Sequence, residues 1–417
     1  MTAQGTPGLD VAPFVATRYA DPARLPVLTS PAYDLIDPAQ RERLMESDEH
    51  SIVHLTLPTF GADDAARRLA QWRRDGVLRV DAEPALFVYD LTDPTAEPGI
   101  PHTSTRGWVG AVGLPGPGSD AVSPHEATVP AAVADRLALL AATHADLEPI
   151  VLTHDGPPAA ADELAHSYAH GGDPIVDLLD EDGVRHRLWA VTDPAHVAAV
   201  RADLAGRRAV IADGHHRWAS YLGYRRRQSG AGPWDRGLAL LVPTGQHGPR
   251  VRSIHRVVPG LSLARAVDGA TAAFRVTDTP PLTAADADRA LADAPDTLVL
   301  LTDGTRWARL TDPDRPGLLA VAPPGRATAW RDLDVALVDV GLVEDLWAVG
   351  PDVLLRHSAA SAIATAAATG GTAALVRPTP AATVLDLAAR GVLMPRKSTL
   401  FVPKPRTGLV LRCLVDQ

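Results

Sequence analysis

The segment AVIADGHHRWASYLGYRRR, residues 209–227, sets Asp213, His215, His216 and Arg217 within five positions. A carboxylate, two imidazoles and a guanidinium so close together can hold an anion and move a proton. Val210 and Ile211 close an apolar, β-branched run, Gly214 permits a tight turn, and Trp218, Tyr221, Leu222 and Arg225 recur at helical spacing. The pattern predicts a strand ending at Ile211 and a helix with His215 in its first turn. The first N–H groups of a helix lack intrahelical partners and attract anions, phosphate above all. Adjacent histidines point in different directions, so they do not grip one metal as an i, i+4 pair does. One can face a phosphate while the other packs or orients Asp213. The stretch therefore reads as a phosphate-handling turn.

Four further stretches carry chemistry-bearing side chains. SPHEATVP holds His125 and Glu126, a pair suited to general acid–base work, ahead of a helix carrying Asp135 and Arg136. SIHRVV puts His255 and Arg256 on opposite faces of a strand, one of them expected to face solvent. MPRKSTLFVPKPRTG supplies Lys397, Ser398, Thr399 and Lys404, ammonium groups beside hydroxyls, without the GxxxxGK of a Walker A loop. Of the 40 Lys and Arg residues only these two are Lys, which marks places where a compact ammonium is wanted rather than a planar fork. TSPAYDLID adds Tyr33 and Asp34 on a Pro-bounded turn, read as structural. Neither HExxH nor GxSxG occurs, so zincin and serine-hydrolase chemistry have no footing. His125, Glu126, Asp213, His216, Arg217, Arg256, Lys397 and Lys404 each fall at an element edge, and the expectation is one cleft gathering them.

The elements that must position these groups alternate irregularly. Helices are expected at DDAARRLAQWRRDG, VPAAVADRLALLAATHADL, PAHVAAVRADLAG, DLDVALVDVGLVEDLW and AASAIATAAATG. Strands are expected at ALFVYDLT, RGWVGAVGL, EPIVLTH, VRHRLWAVTD, RAVIAD, GLALLVPTG, VRSIHRVVPG and TGLVLRCLVD. DTLVLLTDGTRWARLTD reads as a hairpin about Asp303-Gly304. The expected class is α+β or mixed α/β, with mixed sheets, hairpins and flanking helices rather than a doubly wound sheet. Three segments are expected: 1–100, an N-terminal α/β segment; 101–260, a central domain with the HE and DGHHR motifs; and 261–417, a C-terminal α/β domain with the RKST/PK tail. Soft boundaries fall near Pro94–Thr105 and Pro259–Leu261.

At 417 residues, 46% hydrophobic and 22% charged, the chain has the composition of a soluble globular protein with room for sizeable cores. A net charge of −10 leaves no global basic field for nucleic acid or anionic membrane. One cysteine excludes a disulfide framework and a thiolate cluster. The N-terminal MTAQGTPGLDVAPF lacks a signal-peptide pattern and no apolar run reaches bilayer length, so a cytoplasmic location is expected.

SPAYDLI, PHEATVPAAVADRLALLAATHADLEPI, IADGHHRW, SIHRVV and MPRKSTLFVPKPRTGLV, in this order, closely resemble the DUF1015 family from about Pro13 to Leu414. Over some 20 residues DGHHR also resembles the phosphate-binding turn of the ParB/sulfiredoxin-like superfamily, most of all its free-serine kinase branch. The second resemblance implies that His215, His216 and Arg217 contact phosphate and that Asp213 orients an acceptor hydroxyl or a Mg²⁺. It implies Glu126 as base. With Arg256, Lys397, Ser398, Thr399 and Lys404 as further phosphate ligands, the expected function is a nucleotide-dependent small-molecule kinase. ATP or ADP would be the donor and a hydroxylated metabolite, free serine first, the acceptor. A phosphohydrolase acting on a phosphometabolite such as phosphoserine, with His215 or His216 as nucleophile or acid and Glu126 guiding water, is the alternative. A non-catalytic nucleotide or phosphometabolite sensor is the third. The partner in each case is a small phosphorylated ligand, with no nucleic acid and no membrane.

Overall fold

The computed structural model describes residues 8–93, 104–116, 119–154, 156–157, 159–245, 247–322, 327–350 and 352–417. Most of the Pro94–Thr105 boundary therefore lies outside the described residues. Two compact units partition the chain, and neither is continuous. The first comprises Met1–Pro124, Thr128–Pro249 and Pro403–Gln417; the second comprises His125–Ala127 and Arg250–Val402. The sequence reading drew three consecutive segments instead, because no local signal marks a chain that leaves a unit and returns to it.

In the first unit, nine strands form a mixed sheet. They are β1 (Val11–Ala12), β2 (Leu86–Thr92), β3 (Ser104–Gly113), β4 (Val122–Ser123), β5 (Ile150–His154), β6 (Val176–Leu179), β7 (Arg185–Val191), β8 (Ala209–Asp213) and β9 (Arg236–Pro243). Their order is β4-β8-β5-β9-β3-β2-β7-β6, with β1 pairing β3. The β4–β8 and β5–β9 pairs are parallel and the rest antiparallel. Buried runs such as LFVYDL in β2 fit strands covered on both faces.

Five longer helices serve this unit: α1 (Ala62–Arg74), α2 (Pro130–Thr143), α3 (Ala160–Gly171), α4 (Pro194–Leu204) and α5 (His215–Arg225). Helix α1 buries Ala65, Leu69 and Trp72, at i, i+4 and i+7, and carries Asp63 and Asp64 in its first turn. Helix α2 opens on Pro130, which fits the first turn, and closes on His144 in the left-handed conformation. It packs on α5, which in turn contacts β5 and β9. The core gathers Trp108, Trp189, Trp218 and Tyr221 with Ile150, Leu152, Ile211 and Leu241.

The second unit holds β10 (Arg250–Ser253), β11 (His255–Val258), β12 (Arg275–Thr279), β13 (Val299–Thr302), β14 (Trp307–Thr311), β15 (Leu354–Arg356), β16 (Thr372–Val376) and β17 (Thr399–Val402). Six of them form an antiparallel sheet ordered β12-β14-β13-β16-β11-β15, while β10 and β17 pair separately. The single strand expected at VRSIHRVV is thus two, broken at Ile254 and shared between two sheets. Helix α6 (Ala359–Thr369) lays Ala359, Ala362 and Ala366 on β11 and β16. The β13–β14 hairpin turns at Asp303-Gly304 with Gly304 at φ +96°, as the sequence predicts. The expected DLDVALVDVGLVEDLW helix is present but wound as a π-helix over Leu337–Leu346, a rare winding that hydrophobic periodicity does not foretell. Among the described residues no helix is long and apolar enough to cross a membrane.

The expected C-terminal strand shrinks to Arg412–Cys413, paired with Ala145–Asp146. Arg412 is 1% exposed and its Nη1 donates to Asp146 Oδ2 at 3.1 Å; Nη2 donates to the Pro233 carbonyl at 2.7 Å. Breaking a buried pair from one side strands the other charge. Arg412→Met should therefore lower urea-unfolding stability by about 3–5 kcal/mol, and adding Asp146→Asn should recover part of the loss.

Candidate functional site

Strand β8 runs two residues beyond Ile211, to Asp213. Its register against β5 shifts between Ile211 and Asp213, and this irregularity re-aims the Asp213 side chain at the strand end. Gly214 follows at φ +93°, and a Cβ there would lie 2.6 Å from Ile150 Cγ2, so only glycine makes the turn. Helix α5 then starts at His215, as the spacing predicts, with no capping side chain and no acidic residue in its first turn.

Around Asp213 the first unit builds a row of alternating charges. Lys404, its side chain 5% exposed, sets Nζ 2.6 Å from both Asp213 Oδ1 and Asp34 Oδ2. Arg217 donates through Nη2 to Asp213 Oδ2 at 2.6 Å and through Nη1 to the Pro149 carbonyl at 2.7 Å. It also lies 3.8 Å from Glu148 Oε1, while Glu148 Oε2 accepts from the Thr407 hydroxyl at 2.8 Å. The Tyr33 ring faces two guanidiniums, Arg136 at 4.7 Å and Arg217 at 5.6 Å. Two residues beyond Lys404, the Arg406 amide donates to Tyr89 Oη at 3.0 Å and Arg406 Nε donates to Thr29 Oγ1 at 2.6 Å. The segment bearing Lys404 is thereby fixed at a second point.

The electrostatics follow from this packing. Burial alone would raise the Asp213 carboxyl, but Lys404 and then Arg217 outweigh it and hold the group well below the usual carboxylate range. Burial would likewise lower Lys404, but Asp213 and Asp34 hold the ammonium well above its ordinary value. Asp213 is thus a fixed anion and Lys404 a fixed cation, preorganised charges rather than proton carriers.

This geometry corrects three expectations. Arg217 does not offer an open fork to phosphate, since both terminal nitrogens are engaged by protein. Arg256 is 2% exposed and sets Nε and Nη2 on the Asp339 carboxylate at 2.6 and 2.7 Å, so its fork is also taken. Asp213 does not fit a protein-held Mg²⁺: both oxygens are bound by cationic side chains, and the Lys404 ammonium sits where an ion bridging Asp34 and Asp213 would. Among the described residues no group of three or more His, Cys, Asp or Glu is arranged to hold a metal.

The other singled-out residues divide by unit. In the first, His216 Nε2 accepts the Val129 N–H at 3.0 Å and so ties α5 to the start of α2. In the second, His125 is 2% exposed, its ring against Phe401, with Nε2 2.9 Å from Thr399 Oγ1. Glu126 Oε2 accepts the Lys397 N–H at 3.0 Å. His255 and Arg256 occupy opposite faces, yet both are buried, because β11 is covered on both sides. Burial and the neighbouring Arg256 push the His255 imidazole down to about 3.

Glu148 and Thr407 carry no sequence signal of a site, and Tyr33 and Asp34 read in sequence as a structural pair. The available signal was the Tyr33-Asp34 pair on a Pro-bounded turn. Because Arg217 is a buried ion-pair partner, Arg217→Ala should lower the stability of the ligand-free protein by about 3–5 kcal/mol in urea unfolding. Asp213 adds a pH signature. Its folded pKa is depressed, so its contribution is full above the unfolded value near about 4 and is lost as pH falls below it. Unfolding measured from pH 7 to pH 2 should show wild type and Asp213→Asn converging on the acid side.

Solved structures give loose likenesses. A C-terminally truncated SbnI from Staphylococcus aureus aligns at 11% identity and TM-score 0.38, covering 73% of this chain and 87% of its own. A free serine kinase in complex with AMP aligns at 15% identity and TM-score 0.32, covering 67% and 83%. A conserved hypothetical protein from Pyrococcus furiosus aligns at 12% and 0.32, covering 67% and 87%. At these scores the likenesses bear on neither activity nor ligand. No curated protein matches the chain. The family model described as "Protein of unknown function (DUF1015)" matches residues 11–336, well over half of the sequence, and the chain belongs to that family.

Proposed function

We propose that this protein is a small-molecule phosphotransferase that takes a phosphoryl group from ATP or ADP to a hydroxylated metabolite, free serine being the favoured acceptor. The observation that carries the reading is Lys404, held ionised on Asp213 two residues before the uncapped N-terminus of α5. Phosphoryl transfer asks a protein for positioning and charge stabilisation more than for covalent chemistry. The uncapped helix N-terminus offers phosphate oxygens its free N–H groups and dipole, and Lys404 offsets the Asp213 charge that would otherwise repel them. Arg217 and Asp34 act one step back, keeping Asp213 and Lys404 in place. Any Mg²⁺ would accompany the nucleotide phosphates rather than reside on Asp213.

The phosphohydrolase alternative calls on a histidine of the turn as nucleophile. His216 Nε2 already serves the Val129 amide, which counts against it.

The test is incubation with ATP or ADP, with and without Mg²⁺, and a panel of hydroxylated metabolites headed by serine, read by phosphorus NMR. Nucleotide consumption should match formation of a phosphorylated acceptor one for one. Phosphate release from phosphoserine without nucleotide would make the protein a hydrolase. Saturable binding without turnover would make it a sensor.

A further inference from the structure

In the second unit, residues 396–399 form a loop whose details a structural role leaves unexplained. Lys397 has φ +54°, in the left-handed region that favours glycine, and is one of four such non-glycine residues among those described. His144, another of them, closes a helix; Lys397 closes none. Such strain persists where the surroundings impose it, and here two side chains do so. Glu126 holds the Lys397 amide at 3.0 Å and His125 meets the Thr399 hydroxyl at 2.9 Å.

Between these clamps lies Ser398, 4% exposed, whose hydroxyl has no hydrogen-bond partner within the protein. Ser253, opposite Thr399 in the β10–β17 ladder and 8% exposed, also has an unpartnered hydroxyl. Buried hydroxyls are nearly always bonded, so the Ser398 orphan asks for an explanation. Exposed Arg396 and Lys397 place two positive charges on the same loop. Lys397 is one of only two lysines in the chain, and it stands where glycine would be unstrained.

We infer that the Arg396–Thr399 loop is a binding site for a phosphate group, with Ser398 Oγ and Lys397 Nζ as its ligands and Glu126 and His125 as the residues that preform it. A phosphate oxygen accepts the hydroxyl proton that no protein group accepts, and the ammonium neutralises its charge. The group arrives on a nucleotide or on a phosphorylated hydroxy acid. The assignment deepens the phosphotransferase reading, on which the choice of probes rests.

The experiment is calorimetric titration of the full chain with inorganic phosphate, AMP, O-phosphoserine and unphosphorylated serine, for wild type, Ser398→Ala and Lys397→Met. Wild type should bind the three phosphate-bearing probes. Each substitution should weaken that binding about 10- to 100-fold, the worth of one hydrogen bond to a charged group. The melting temperature of ligand-free Ser398→Ala should be unchanged or raised, because removing an orphan hydroxyl relieves a burial penalty. Tighter AMP binding assigns the nucleotide to the loop, and tighter phosphoserine binding assigns the acceptor; both uphold the site. Serine binding as well as phosphoserine, wild-type phosphate affinity in both variants, or absence of phosphate binding overturns it. A chain that binds phosphate through Ser398 yet transfers none keeps this inference and loses the phosphotransferase reading.

Discussion

The Asp213 carboxylate, gripped on one oxygen by Lys404 and on the other by Arg217, is the contact around which the first unit is organised. It ties three stretches far apart in sequence: the turn after β8, the C-terminal segment bearing Lys404, and the Tyr33-Asp34 turn reached through that lysine. A buried carboxylate is costly unless paired, so this one anion dictates that two cations be brought to it. Each cation then needs further partners. Asp34 answers Lys404, while Glu148 and the Pro149 carbonyl answer Arg217. The row ends at Thr407, a neutral hydroxyl that takes up the outer Glu148 oxygen without adding charge.

Such a row restricts what the turn can do. Asp213 and Lys404 are each locked in one protonation state by their neighbours, so neither is suited to shuttling protons near neutral pH. What remains is a static field beside a helix start, built before any ligand arrives.

The strand–turn–helix around Asp213 was legible because its determinants are local: an apolar run, a glycine forced to positive φ, and helical spacing after it. The mixed sheets and the Asp303-Gly304 hairpin were legible for the same reason. The partner of each charge was not. Arg217 and Arg256 look like anion-binding forks in sequence, yet their carboxylates come from Asp213 and Asp339, and nothing in the spacing of Asp339 announces it. Tyr33 and Asp34 were passed over because a Pro-bounded turn is ordinary, and only the tertiary approach of Lys404 gives it a charge to meet. The division into two interleaved units was hidden too, since hydrophobic periodicity does not record where a chain returns.

That interleaving has a consequence for how the molecule is made. Residues 403–417 supply Lys404, Thr407 and Arg412 to the first unit, but they leave the ribosome only after Arg250–Val402 of the second. At roughly 5–20 residues per second, the delay is on the order of 10–30 s. Throughout it Asp213 has Arg217 but lacks Lys404, and Asp146 lacks Arg412. The nascent first unit must then wait with Asp213 half-paired and with Asp146 either open to water or protonated. The second unit, whose elements between Arg250 and Val402 are contiguous, can close during that wait. Synthesis thus imposes an order in which the Asp213 turn acquires Lys404 only after residues 250–402 have been made, and a chain interrupted before Pro403 never carries the Asp213–Lys404 pair.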